Sequence, residues 1–378
     1  LGGPWRQNRL SPNALTLDYA QFSKDGGRTW SVSEPVLAFS DRAAQSQPYN
    51  GPLLVRYPFR AEALPRNCSL VLEQPEMYAS IRVNGRELRF GQGEETPGKN
   101  TGTTSKKTPG DVSDGEPAGF YLDRAFRTAE ITPLLKKGDN EIVLALDFRS
   151  AVPSSYDADE RYGTEIESVY LTGDFAVRGK EVAPPLADSW RNRSPYLQRT
   201  APVNRLTGFV LTDEPAQVEG DMTLQGYPFF AGSMTLEKEF DLERTDSAAR
   251  YFLTFPACEA TVIGINVNGT DLSPLFASPW EADVTPWLRP GSNKICLTLT
   301  NTLRNLLGPH HHKGGEFTEV RPVTFRAGED VSNTMTGEPV GECDWYDARL
   351  KGRAALWRDA YHIIPSGLLA APEIRRER

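Results

Sequence analysis

The sequence predicts an all-β chain: two tandem β-sandwiches with short one-turn helices. Three observations predict it. One motif is written twice, and a repeat of that kind means a repeated supersecondary unit. Gly and Pro are frequent, 32 and 29 of 378 residues, and long helical periodicity is absent. Apolar residues alternate in short runs bounded by turn signals, the pattern of sandwich strands.

The first copy reads Ile81-Arg82-Val83-Asn84-Gly85-Arg86-Glu87-Leu88, then Thr132-Pro133 through Gly138 and Asn140; the second reads Ile265-Asn266-Val267-Asn268-Gly269-Thr270-Asp271-Leu272, then Thr285-Pro286 through Gly291 and Asn293. Thr132 stands to Asn140 as Thr285 stands to Asn293. Asn-Gly between alternating apolar residues predicts a hairpin on a type I′ turn, because both central residues need positive φ. Thr132 and Thr285 read as helix caps, with Pro133 and Pro286 in the first helical position and Gly138 and Gly291 ending the turn. The alternating residues that follow, Ile142, Leu144, Leu146 and Phe148 in one copy and Ile295, Leu297 and Leu299 in the other, predict a half-buried strand.

From these signals we divide the chain into lead-in strands and linker at 1–50, a first sandwich at 51–178, a connector at 179–215 and a second sandwich at 216–378. The polar, Gly- and Thr-rich stretch 91–118 reads as a long surface insertion in the first sandwich. Strands are expected near Met222-Thr223-Leu224 and Tyr361-His362-Ile363, and the tail from Arg375 is expected to fray.

Composition narrows function. A net charge of −8 with scattered basic residues argues against a nucleic-acid surface. No apolar run reaches membrane-spanning length. Cys68, Cys258, Cys296 and Cys343 lie far apart with no Cys-x-x-Cys pair, which argues for free thiols over a zinc site. No cofactor is expected, and no Asp cluster calls for a structural calcium. The chain opens on Leu1 rather than Met, which reads as a piece of a longer protein and leaves its compartment open.

Three groups of residues are candidates for chemistry. Glu165 and Glu167 lie two apart on an expected strand, so their carboxylates would share a face. Paired carboxylates are what a glycosidase requires, although a solvated stripe has the same spacing. The segment 301–312 concentrates Asn301, Arg304, Asn305, His310, His311 and His312. Consecutive histidines seldom converge on one metal, so we expect a loop that contacts carbohydrate or a neighbouring domain rather than a metal site, with a plain solvated loop as the competing reading. Tyr227, within the aromatic run Tyr227-Pro228-Phe229-Phe230, is a candidate sugar platform, with core packing as the competing reading. Trp280 and Trp287 read as core. No Gly-x-Ser-x-Gly, phosphate-binding loop or dinucleotide fingerprint is present.

Three strings carry a family resemblance: Asn13-Ala14-Leu15-Thr16-Leu17-Asp18 followed by Asp25-Gly26-Gly27 and Trp30; Asn301-Thr302-Leu303-Arg304-Asn305-Leu306-Leu307-Gly308-Pro309-His310-His311; and Pro365-Ser366-Gly367-Leu368. Together they resemble the C-terminal region of large bacterial glycoside hydrolases related to family 2 and to the α-L-rhamnosidase-like family 106. The resemblance implies galactose-binding-like jelly-roll sandwiches that follow a catalytic barrel. It implies as partners a carbohydrate and the catalytic domain of the same parent chain. The alternation of strands and long helices that a barrel needs is missing, so no catalytic carboxylate of those families is carried over. The expectation is a non-catalytic C-terminal accessory portion. The alternatives are a free-standing carbohydrate-binding module, a glycosidase using Glu165 or Glu167, or a purely structural pair of sandwiches.

Overall fold

Strands of period two have one dry face, and two such faces must close on each other to exclude water. The computed structural model describes all residues except 46, 92–118, 153–154, 158–162, 183–202, 244–245, 247, 309, 312–358 and 378. Most of the 91–118 insertion, most of the 179–215 connector, His312 and Cys343 therefore lie outside the described residues. The fold is all-β, its helices short. It divides into two compact units, one of Thr16–Gly173 and one, discontinuous in sequence, of Leu1–Leu15 with Asp174–Arg378.

In the Thr16–Gly173 unit, the Gly138–Arg149 strand lies between Asn50–Ala61 and Ser80–Val83, which continues through the Asn84-Gly85 turn into Arg86–Leu88. Tyr19–Ser23 adds to the outer side of Asn50–Ala61. A second sheet sets Cys68–Glu73 between Asp123–Glu130 and Val169–Gly173. The core comes from the alternating residues of the first sheet: Leu53, Val55, Tyr57, Ile142, Leu144, Leu146 and Phe148 are all buried.

The discontinuous unit repeats the plan. Its six-stranded sheet includes Trp5–Arg9, Ser233–Leu242, Gly291–Thr300, Val262–Val267 and Thr270–Leu275 as successive neighbours. A three-stranded sheet sets Arg250–Thr254 between Glu281–Asp283 and Glu373–Glu377. Met234, Leu236, Leu253, Ile263, Ile265, Val267, Ile295, Leu297 and Leu299 form one buried cluster, with Trp280 and Trp287 packed half-buried against it.

Both copies of the repeated motif fold into the same corner. Asn84 and Asn268 have φ of 50° and 52°, and the glycines after them are also left-handed, as type I′ turns require. The Asn84 amide donates to Leu134 O (2.9 Å) and Asn140 Oδ1 (2.8 Å). The Asn268 amide donates to Trp287 O (2.8 Å) and Asn293 Oδ1 (2.9 Å). Asn140 in turn donates to Lys136 O and Gly138 O and accepts from Lys136 N; Asn293 does the same with Arg289 O, Gly291 O and Arg289 N.

Several expectations are corrected here. Thr132 and Thr285 do not cap their one-turn 3-10 helices, which begin at those threonines and have no side-chain cap. Their hydroxyls reach across instead to accept from Cys68 N and Tyr251 N, both at 2.7 Å. Met222–Leu224 is a short helix capped by Asp221, not a strand. The segment ending at Glu377 is a paired strand rather than a frayed tail. Val36–Gln45 is a ten-residue helix in the stretch expected to hold lead-in strands and linker. Asn204–Thr212, in the stretch read as connector, is a nine-residue strand paired with Ala176–Glu181 and with Tyr361–Ile363.

Residues 1–50 are not a lead-in to the first sandwich as a block. Trp5–Arg9 pairs with Ser233–Leu242, 231 residues away at Arg6↔Glu237. Trp5 is 3 % exposed within the discontinuous unit's core. Leu1 N donates to Pro372 O (2.8 Å), and Lys238 Nζ donates to Gly3 O and Pro4 O. Asn13, fully buried, donates to Phe175 O and Gly226 O. Burying a Trp and pairing a strand outweighs the cost of ordering a dozen terminal residues.

Candidate functional site: the 301–311 segment and the Glu167 cluster

The 301–311 segment leaves the end of the Gly291–Thr300 strand and is held by its own polar side chains. The Asn301 amide donates to Phe230 O (2.7 Å), its Oδ1 accepts from Gly232 N (2.9 Å), and its backbone N–H donates to Gly232 O (3.0 Å). Arg304–Leu307 then forms a single helical turn, with Gly308 N–H donating to Arg304 O. Gly308 follows it with a φ of 88°, a conformation costly for a residue with a Cβ. Asn305 is 6 % exposed. Its amide donates to Ile364 O (2.7 Å) and its Oδ1 accepts from Ile364 N (2.9 Å), so one side chain stands in for a ladder partner.

His310 and His311 are 4 % and 3 % exposed. His310 Nε2 lies 2.8 Å from Asn305 O; a carbonyl only accepts, so that nitrogen carries the proton. His310 O accepts from His362 N (2.7 Å). The rings pack by their edges, His310 against Phe229 (5.7 Å) and His311 against Tyr361 (4.5 Å). Among the described residues no group of three or more His, Cys, Asp or Glu side chains is placed to hold a metal ion. The segment thus brings Asn301, Asn305, His310 and His311 together as an internal brace. Arg304 starts its helical turn and is half-buried.

Tyr227 is fully buried and has no ring face to offer a sugar; the core reading is the one that fits. Its hydroxyl lies 3.4 Å from Glu214 Oε1. Burial first, then the Glu214 charge, raise the phenol's pKa. Glu214 is itself ion-paired with Arg9, which also reaches Asp174 at 3.0 Å.

Glu165 and Glu167 do not lie on a strand. They sit in the unpaired residues before Val169–Gly173, so the same-face argument does not hold for them. The two carboxylates have different surroundings: Glu165 is exposed, while Glu167 is half-buried. The backbone carbonyl of Glu167 accepts from Tyr57 Oη at 2.7 Å. Burial, then the charges of Glu73 and Glu165, push the Glu167 carboxyl above the ordinary carboxylate range. Tyr78, close enough to feel both Glu167 and Glu73, is pushed up to about 12, chiefly by burial. A carboxyl whose pKa is raised in this way is suited to proton donation. Glu73, the missing member of this group, lies ninety-odd residues upstream, and no local pattern marks it. Cys68, Cys258 and Cys296 are free thiols, and burial raises the pKa of each; thiols of that kind are poor nucleophiles.

No protein-family model matches the chain, and no curated protein matches it. Among solved structures it aligns with a rhamnosidase from a Novosphingobium species over 86 % of its length, at 13 % identity and a TM-score of 0.26. It aligns with a β-D-mannosidase from Dictyoglomus thermophilum over 76 %, at 13 % identity and a TM-score of 0.27. It aligns with an α-L-rhamnosidase from Streptomyces avermitilis over 79 %, at 14 % identity and a TM-score of 0.30. This chain spans 23 %, 31 % and 25 % of the lengths of those three proteins.

Proposed function

We propose that this chain is a non-catalytic accessory portion of a larger glycoside hydrolase, two jelly-roll-like sandwiches that buttress the catalytic domain of their parent chain. One observation carries the reading. The 301–311 string, the one that most specifically resembles those hydrolases, uses the carboxamides of Asn301 and Asn305 and the ring of His310 on the backbone of its own unit. Polar side chains used that way specify a rigid scaffold; they are poorly placed to reach a sugar hydroxyl. The expected contact with carbohydrate through this string is therefore secondary to its bracing role.

The test is an assay of this chain alone against a panel of chromogenic glycosides, beside a glycan array. The expected result is no turnover. Retention of a glycan without turnover would replace the buttress with a carbohydrate-binding module. Turnover would replace it with a hydrolase, and one observation favours that second reading: the raised pKa of Glu167 beside Glu73 and Glu165. In that case Glu167→Gln would abolish activity by removing the proton donor.

A further inference from the structure

The Thr16–Gly173 unit carries a cavity of about 260 Å³ that the accessory reading does not use. One wall is the turn after Tyr19–Ser23. There Asp25 Oδ1 accepts from Ser23 Oγ, Arg28 N and Thr29 N, and its Oδ2 accepts from Thr29 Oγ1 at 2.6 Å. The opposite wall is the Val36–Gln45 helix, which contributes Phe39 and Arg42. The floor is apolar: Phe22 and Phe39 stack with ring centroids 4.3 Å apart.

The polar groups around this floor have a definite sense. Thr29 Oγ1 donates its proton to Asp25, and Ser31 Oγ donates its own to Val32 O. Ser31 Oγ also accepts from Phe22 N (3.0 Å), so it keeps one lone pair, and with Thr29 Oγ1 it can accept from a ligand's O–H groups. Arg42 is matched by Glu34 through two N–H···O bonds, one of 2.6 Å. Lys24 is not matched in that way. Its ammonium sits 4.4 Å from the Tyr49 ring centre and 5.3 Å from that of Phe39, with no carboxylate in ion-pair reach among the described residues. Aromatic faces hold a cation in place without neutralising it.

We propose that this cavity binds a small hydroxylated carboxylate, a sugar acid of monosaccharide size. Lys24 Nζ meets the carboxylate, Thr29 and Ser31 accept from ring hydroxyls, and Phe22 and Phe39, which line the cavity, form its apolar side. The volume suits one ring, since pockets for drug-sized ligands run from about 300 Å³ upward. The inference does not rest on the accessory reading, which is decided by turnover.

The test is isothermal titration of the full chain with sodium glucuronate, with glucose and with acetate, at one fixed ionic strength. Glucuronate is expected to bind, with glucose and acetate each weaker by about tenfold or more, the loss that follows from removing a charge-assisted contact or a set of hydroxyl contacts. Lys24→Met is expected to weaken glucuronate by about tenfold, and Lys24→Arg to restore part of it, because a guanidinium also pairs with a carboxylate. Lys24 is exposed, so an unchanged melting temperature is expected for both variants. No heat with glucuronate, equal affinity for acetate and glucuronate, or a Lys24→Met variant that binds as well as the parent each overturns the proposal.

Discussion

The two copies of the Asn-Gly corner differ in nearly every surrounding side chain and agree in every hydrogen bond that defines them. Asn84 with Asn140 and Asn268 with Asn293 make the same contacts at 2.8–2.9 Å. The residue that the threonine hydroxyl fastens is buried Cys68 in one copy and Tyr251 in the other. The helix-entry carboxylates differ too. Asp283 accepts from both the backbone N–H and the hydroxyl of Thr285, while Glu130 accepts from Thr132 N alone. The corner tolerates this because, apart from the bond between its two asparagines, its bonds run from asparagine and threonine to backbone groups. Backbone groups are supplied by the fold whatever the side chains.

The largest effect is expected where the units differ most, at the strand that only one of them takes from the N-terminus. Trp5→Ala should destabilise the discontinuous unit by about 3–5 kcal/mol, the cost of emptying a buried indole site. Hydrogen exchange should then show lost protection in Ser233–Leu242 while Asn50–Ala61 keeps its own. Loss of protection in both would mean that the units do not unfold separately.

Next come the paired asparagines. Asn140 and Asn293 are buried, and replacing either with Ala strands two carbonyls, one backbone N–H and the carboxamide of Asn84 or Asn268. Each should cost about 2–3 kcal/mol in urea unfolding. Equal costs would sharpen the equivalence of the two corners; a difference beyond about 1 kcal/mol would break it, because each variant loses the same four bonds.

The helix-entry carboxylates give a smaller contrast. Asp283→Ala should cost about 1 kcal/mol and Glu130→Ala less, because Asp283 accepts from Thr285 twice and pairs with Arg250 while Glu130 accepts one bond. Thermal melts of the two variants side by side will read it. The last effect is a slope with pH rather than an offset. The folded-state pKa of Glu167 is raised, so its contribution to stability is fully present below the unfolded carboxylate pKa and is lost as pH rises through the folded value. Glu167→Gln should remove that slope, leaving the variant more stable than the parent at neutral pH. Parallel curves for variant and parent from acid to neutral pH would show that Glu167 is not perturbed.

Much of the fold was legible in the sequence. The Asn84-Gly85 and Asn268-Gly269 turns, the Thr-Pro helical turns and the strands after them form where their residue types put them, because positive φ, a missing N–H and period-two burial are local properties. The sites were less legible. Tyr227 competed between platform and core, and only its packing decides for the core. The histidines of the 301–311 segment face inward because Tyr361 and Phe229 arrive from distant parts of the chain. Glu165 and Glu167 were read as a pair from spacing that presumes a strand, and the residues there are unpaired. The cavity beside Lys24 left one trace, the Asp25-Gly26-Gly27 turn with Trp30 after it, but the helix that forms its other wall has too short a pattern to stand out.

By itself the sequence determined what chain geometry within a few residues can determine: an all-β chain, a corner written twice, and the conformation of the residues that close each corner. Only the tertiary structure decided that residues 1–15 complete the unit at the far end of the chain. Only it decided that Thr132 and Thr285 fasten a neighbouring strand instead of capping a helix, and that the polar side chains of the 301–311 segment are turned inward. The physical reason is common to all three. A turn is set by the φ preferences of its own residues, whereas a strand's neighbour and a side chain's hydrogen-bond partner are chosen by which distant backbone groups would otherwise be buried without one.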